Sequence, residues 1–417
     1  MHRSEGDPSA AAAAGRGIVL LICCLAALPT IILSLTQTLY GGLMTDIRAM
    51  LELGGFGAGL MSAAFNLPAV LLQPGAGALV DRLGARRTLV AATIGYGGCS
   101  AWFALSGSAP AATAARFVMG AFGAFLYPAF ISVIARLVVA DGRQRAIGWM
   151  QLVVGTAGIA ASLLATPVLA SDTWRVALGA PAFTALPIAI ALWAALAHPM
   201  LRGPRAAGDV APPLGLSQVL AIPDIRRACF VAASTGGIMI ALGGLLNVTN
   251  ARVVWKLPEE SWGTVNAMFF VGFALGGPVL ARITRSVGPR RTLCGALALL
   301  AASMAAWAYL PVADGTATAC TFTLCCGLGA SAMSIAVAVA VRAVPVESAG
   351  AASGLVAASM SCGGMLLQAA AMATTLIPGT TPVGRSQACA AGIILLVLGA
   401  LSVARRVSDA PAPGSGR

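Results

Sequence analysis

Twelve apolar stretches follow one another along this chain, and its polar residues are largely confined to the breaks between them. A membrane-spanning helix needs about 20 mostly apolar residues. On that rule the spans fall near 18–40, 56–76, 88–107, 111–134, 146–170, 176–197, 228–249, 263–281, 292–312, 317–341, 350–376 and 386–404. The run from Ile18 is too long for the core of a cleaved signal peptide, so it reads as a retained first anchor. One long break at 198–227, with five prolines and four arginines, divides the chain almost equally. The pattern predicts an all-α polytopic membrane protein with six-helix bundles at 18–197 and 228–404. A disordered segment at 1–17, the linker at 198–227 and a tail at 405–417 complete the layout.

The basic residues set an orientation. Lys and Arg concentrate in cytoplasmic loops of membrane proteins. Of the 26 Lys and Arg, five (Arg48, Arg175, Arg252, Lys256 and Arg385) fall on one side and Arg116 falls within a span, leaving twenty on the other. That asymmetry places both termini and the linker in the cytoplasm. The arginine-rich loops suit a bacterial inner membrane.

Composition narrows the class further. Hydrophobic residues make up 58% of the chain and charged residues 10%, against about 25% charged in an ordinary soluble domain. A net charge of +12 could suggest a nucleic-acid partner, but the arginines punctuate span ends and form no basic arm, so no nucleic acid is expected. All ten cysteines lie in apolar stretches without metal-site spacing, and the two histidines, His2 and His198, lie outside the spans. No metal, no cofactor and no enzyme activity are expected, and no phosphate-cradling Gly-x-x-x-x-Gly-Lys-Ser/Thr loop supports ATP-driven transport.

The two halves repeat. With a shift of 204 residues, Gly59–Leu89 and Gly263–Leu293 share ten identities in thirty-one positions. The run Arg86-Arg87-Thr88-Leu89 meets Arg290-Arg291-Thr292-Leu293, and Gly84 meets Gly288. A shift of 206 sets Arg136, Ala146 and Gly148 against Arg342, Ala352 and Gly354. Parallel repeats of this kind are a known transporter architecture, with the solute site between the halves near the midplane.

The stretch Gly77-Ala78-Leu79-Val80-Asp81-Arg82-Leu83-Gly84-Ala85-Arg86-Arg87-Thr88-Leu89 resembles the signature loop of the major facilitator superfamily, G-x-L-x-D-R-x-G-R-R-x-x-L. Ala85 stands where a basic residue is usual. The resemblance implies two six-helix bundles in pseudo-twofold repeat, a secondary transporter working by alternating access, and a conformational latch formed by Gly77, Asp81, Arg82, Gly84, Arg86 and Arg87. In that reading Asp81 meets the start of the eleventh span near Gly350. The residues alone allow other roles for Asp81: neutralising Arg86 or Arg87, capping a helix N-terminus, or standing as a solvated loop charge. The segments Asp141–Ala146, Pro345–Gly354 and Asp172–Arg175 resemble further loops of the family.

Arg116 reads as the one ionisable residue inside a span, in a run Arg116–Gly123 that resembles the family's R-x-x-x-G-x-x-G pattern, with Met119 where glutamine is common. In parts of the family this arginine is linked to proton coupling or anion contact. The alternative is that Arg116, about 7 Å from its helix end, snorkels to the interface. Gln37, Tyr127 and Asn247 are the other candidates for substrate or coupling contacts, because long polar groups at membrane depth need partners. The resemblance implies that the first, fourth, seventh and tenth spans line the cavity. The function expected is a monomeric permease for a small organic solute, such as an anion, of the ion- or proton-coupled symporter type. The alternatives are an efflux pump for a drug or metabolite and a transporter-like solute sensor. The fifth span lacks the G-x-x-x-G-P-x-x-G-G pattern of drug–proton antiporters.

Overall fold

The structure, a computed structural model, describes residues 8–138, 140–170, 173–198, 214–312, 315–374 and 379–408. Among these, twelve helices are long and apolar enough to cross a membrane, and no strand occurs. The first half contributes Pro8–Gly42, Gly55–Leu83, Ala85–Leu105, Ala109–Leu137, Ala140–Ala170 and Trp174–Ala195. The second half opens with Pro223–Ala241, which continues through a π-helix at Leu242–Leu246 into Asn247–Val253. It goes on with Glu259–Val287, Pro289–Tyr309, Thr316–Ala330 with Met333–Arg342, Ala349–Ala373 and Pro382–Ala404. These are spans one to twelve. A 21-residue helix such as the third is roughly 31 Å long, the thickness of a bilayer's hydrocarbon core. Large apolar side chains such as Leu105, Phe183 and Leu395 face outward, an arrangement suited to lipid and costly in water.

The repeat read in the sequence is built into the backbone. The second and eighth spans each run 29 residues with bounds offset by 204, and the third and ninth each run 21 with the same offset. Each pair is joined through a single glycine, Gly84 at φ 89° and Gly288 at φ 86°. Only glycine holds that conformation without strain. The left-handed turns at Glu52 and Lys256 share the offset. The face carrying Gly84 and Gly288 is called the Gly84 face below.

The halves meet through small residues. Gly148 of span five lies against Gly277 of span eight, and Gly354 of span eleven lies against Gln73 of span two. The two repeat shifts map the first contact onto the second, so a pseudo-twofold axis relates the bundles. Without side chains between them, the backbones approach closely enough for dispersion to act over the whole seam. On the opposite face Gly41 of span one lies against the backbone of Gly244 in the π-helix of span seven. The halves therefore touch on both sides of the space between them.

Several expectations are corrected. Helix begins at Pro8, inside the segment expected to be disordered, where Ala10–Ala14 have the highest helix propensity; residues 1–7 lie outside the described residues. The linker ends in a short helix, Leu216–Ala221, and span seven starts at Pro223, which suits a first helical turn. Linker residues 199–213 and tail residues 409–417 lie outside the described residues. The expected loop after span two is almost wholly helix: Gly77, Asp81 and Arg82 stand in the last turns of Gly55–Leu83, while Arg86 and Arg87 open Ala85–Leu105. Arg116 is thus not alone among charged residues on a spanning helix, although it is buried and sits well inside its helix. Of the Asp141–Ala146 and Asp172–Arg175 segments, Asp172 and the side chains of Asp141, Arg143 and Gln144 lie outside the described residues. Trp174 is buried against Phe103, and Arg175 donates from Nη1 to the carbonyls of Ala104 and Ser106, tying span six to the end of span three.

Candidate functional site

Asp81 occupies the last turn of span two, where its carboxylate reaches the start of span eleven. Oδ1 accepts from the backbone N–H of Gly350 at 3.0 Å and Oδ2 from that of Ala351 at 2.8 Å. The first N–H groups of a helix have no partner within it and carry partial positive charge, so a carboxylate there is held twice over. Glycine on both sides permits the approach: a side chain at Gly77 would overlap the carbonyl of Gly350, and one at Gly350 would meet Asp81 itself. Arg136 and Glu347 lie within electrostatic range of the carboxylate.

The other residues of that stretch divide. Gly84 forms the turn. Arg86 does not neutralise Asp81; it donates from Nε to the carbonyl of Trp193 at 2.9 Å and lies 3.7 Å from that ring's centroid, fastening span three to span six. Arg82 and Arg87 are exposed. Only Gly77 and Asp81 of the six expected latch residues therefore lie on the contact between halves.

Between the halves lies a cavity of about 210 Å³. Spans one, two, four, five, seven, eight, ten and eleven all line it, twice the four expected. Arg116 borders it and is 2% exposed. The guanidinium carbon lies 3.7 Å from the ring centroid of Tyr40 and 4.6 Å from that of Phe65. Such stacking stabilises a cation by about 2 kcal/mol when water is excluded. No carboxylate forms an ion pair with Arg116 among the described residues, and its Nε lacks a hydrogen-bond partner. This placement overturns the snorkelling alternative: the side chain turns inward to aromatic rings and the cavity. A guanidinium stays charged in proteins, so the cavity has a fixed positive pole.

Gln37 and Tyr127 line the same cavity, Tyr127 on the face of span four that also carries Arg116 and Gly123. Asn247 does not line it. Its Oδ1 accepts from Trp307 Nε1 at 3.1 Å and its Nδ2 donates to Asn266 Oδ1 at 3.4 Å. Asn266 in turn donates to Ser162 Oγ and to the carbonyl of Gly243, both at 3.0 Å. The π-helix just before Asn247 shifts the register of the turn that follows, so the residue faces the interior of its own half.

Sequence reasoning passed over several lining residues. Gln151 of span five borders the cavity and donates from Nε2 to the carbonyl of Phe273 at 3.0 Å, joining the halves. Met150, Met239, Met333 and Met360 supply much of the apolar wall. In so apolar a chain, methionine at helical spacing looks the same whether it faces lipid, core or cavity.

Among the described residues no group of three or more His, Cys, Asp or Glu could hold a metal ion. No curated protein is similar enough to this chain to count as a match. The sequence model of the Major Facilitator Superfamily matches residues 26–367, from the first span into the eleventh, and so takes in both the Asp81 contact and the cavity. With twelve spans in two repeat-related bundles around a central cavity, the chain belongs to the major facilitator superfamily, a family of multi-pass membrane proteins that are secondary transporters of small molecules.

Proposed function

We propose that this chain carries a small organic anion across a bacterial inner membrane as a single-chain, ion- or proton-coupled permease, with both termini and the Gly84 face in the cytoplasm. The observation that carries the anion reading is Arg116: a buried guanidinium on the central cavity with no carboxylate paired to it among the described residues. An unbalanced buried charge is costly, and a solute of opposite charge removes the cost when it binds. Gln37 and Tyr127 add neutral polar groups to the same lining. The basic asymmetry between loops supports the orientation.

Asp81 is the latch in this reading. Its hold on Gly350 and Ala351 closes the cytoplasmic side, and protonation would weaken both hydrogen bonds, which offers a route for proton coupling. The methionine wall favours a second reading, export of a less polar metabolite or drug, because soft, flexible side chains accept varied apolar shapes.

Thermal stabilisation of the purified protein against small anions, neutral metabolites and lipophilic cations separates the two. A ligand at a hundredfold excess over its Kd stabilises the folded state by about 2.7 kcal/mol. Stabilisation by an anion that Arg116→Gln abolishes is the expected result. Stabilisation by lipophilic cations alone would reject the anion reading in favour of export.

A further inference from the structure

The cavity has a second polar pole, opposite Arg116 and built across the two halves. Gln73 of span two lines the cavity and is 8% exposed. Ser361 of span eleven donates from Oγ to Gln73 Oε1 at 3.1 Å. With the amide in that orientation one lone pair of its oxygen is used, and Nε2, for which no hydrogen-bond partner occurs among the described residues, remains a donor.

The two poles are set apart along span two. Phe65 stacks on Arg116, and Gln73 lies eight residues further toward the Gly84 face, about 12 Å along the helix axis. Apolar side chains such as Leu33, Met150 and Phe273 border the cavity as well. A solute that filled the cavity but satisfied only Arg116 would shut the Gln73 donor off from solvent without a partner, and an unmet donor in a mostly apolar space is costly.

We infer that Gln73 is a specificity-determining residue, and that the solute is an elongated organic monoanion: an acid group at Arg116, an apolar middle, and a neutral hydrogen-bond acceptor at the far end met by the Gln73 amide. This rests on the anion reading above and adds the length and the far-end chemistry of the solute. It also ties recognition to closure. Gln73, Gly77 and Asp81 share one face of span two at successive turns, and they meet Ser361, Gly354 and Gly350 of span eleven. The acceptor is thus read at the inner end of the seam whose outer end is the Asp81 contact.

The test is thermal stabilisation of the purified full-length protein by two ladders of unbranched monocarboxylates of increasing length. One ladder ends in a plain alkyl group and the other in a methyl ketone. At the length that spans both poles, the keto acid is expected to bind wild type about three- to tenfold more tightly than its alkyl counterpart, the value of one neutral hydrogen bond. Gln73→Leu should abolish that preference while still binding the alkyl acids. Ser361→Ala, which frees the amide to turn, should narrow it, and decides the matter if Gln73→Leu does not fold.

A ketone preference that survives unchanged in these variants overturns the inference. Arg116→Gln distinguishes the two levels of the account. Binding that depends on Arg116 but shows no end-group preference at any length rejects the Gln73 pole and leaves the anion reading standing. Binding indifferent to Arg116 rejects the anion reading itself. If no acid of either ladder stabilises wild type, both fall.

Discussion

At the scale of single residues, Arg116 and Asn247 show how differently two buried polar side chains can be used. Arg116 has aromatic faces and a cavity beside it but no anion. Arg116→Gln should weaken solute binding about tenfold or more, the worth of a charged hydrogen bond. Arg116→Lys should not restore it, because an ammonium is a point charge that cannot stack as a planar fork does. Titration of purified variants with the stabilising ligand checks both. Asn247 is already satisfied by Trp307 and Asn266. Asn247→Leu should leave binding unchanged and cost about 1–3 kcal/mol of stability by orphaning buried partners, seen as a lowered Tm at unaltered ligand affinity. Sequence alone could not separate these two residues. Both are long polar groups in apolar stretches, and what distinguishes them is the π turn ahead of Asn247, which shifts the helix register without a marker in residue type.

At the scale of elements, the seam between spans two and eleven depends on backbone proximity. Gly77→Val would place a side chain against the Gly350 carbonyl and hold the helices apart. Asp81→Asn would replace a double acceptor by a group with one acceptor and one donor facing two N–H donors. Both changes should speed hydrogen exchange at the amides of Gly350 and Ala351, read by mass spectrometry, whereas Arg82→Gln should not, since that side chain is exposed. Gly84→Ala and Gly288→Ala force a side chain into φ near +90° and should each cost about 1–3 kcal/mol. Comparable falls in Tm are expected, because the two turns are repeats of one another.

Helix number, the order of the halves and the glycine turns were legible because apolar length and the Arg-Arg-Thr-Leu echo leave little choice. The partners of Arg86 were not, because a motif gives spacing along the chain and not the carbonyl of Trp193 that the fold brings alongside. The helical state of Gly77–Leu83 was hidden for a similar reason: charge in that stretch looks like loop, yet the last turns of a helix at the membrane edge carry charge readily.

At the scale of the molecule, two bundles touch on either side of a cavity, through Asp81, Gly77 and Gly148 on the Gly84 face and through Gly41 and Gly244 on the other. In the proposed function, alternating access requires only that one set of contacts part while the other holds, with an anionic solute balancing Arg116 between them. The most direct measurement is counterflow in proteoliposomes: entry of a labelled organic anion into vesicles preloaded with the same anion, for wild type and for Arg116→Gln at matched incorporation. The account predicts saturable counterflow in wild type that is largely lost in Arg116→Gln. Equal counterflow in the two proteins, or saturable binding with no flux in either, would contradict it.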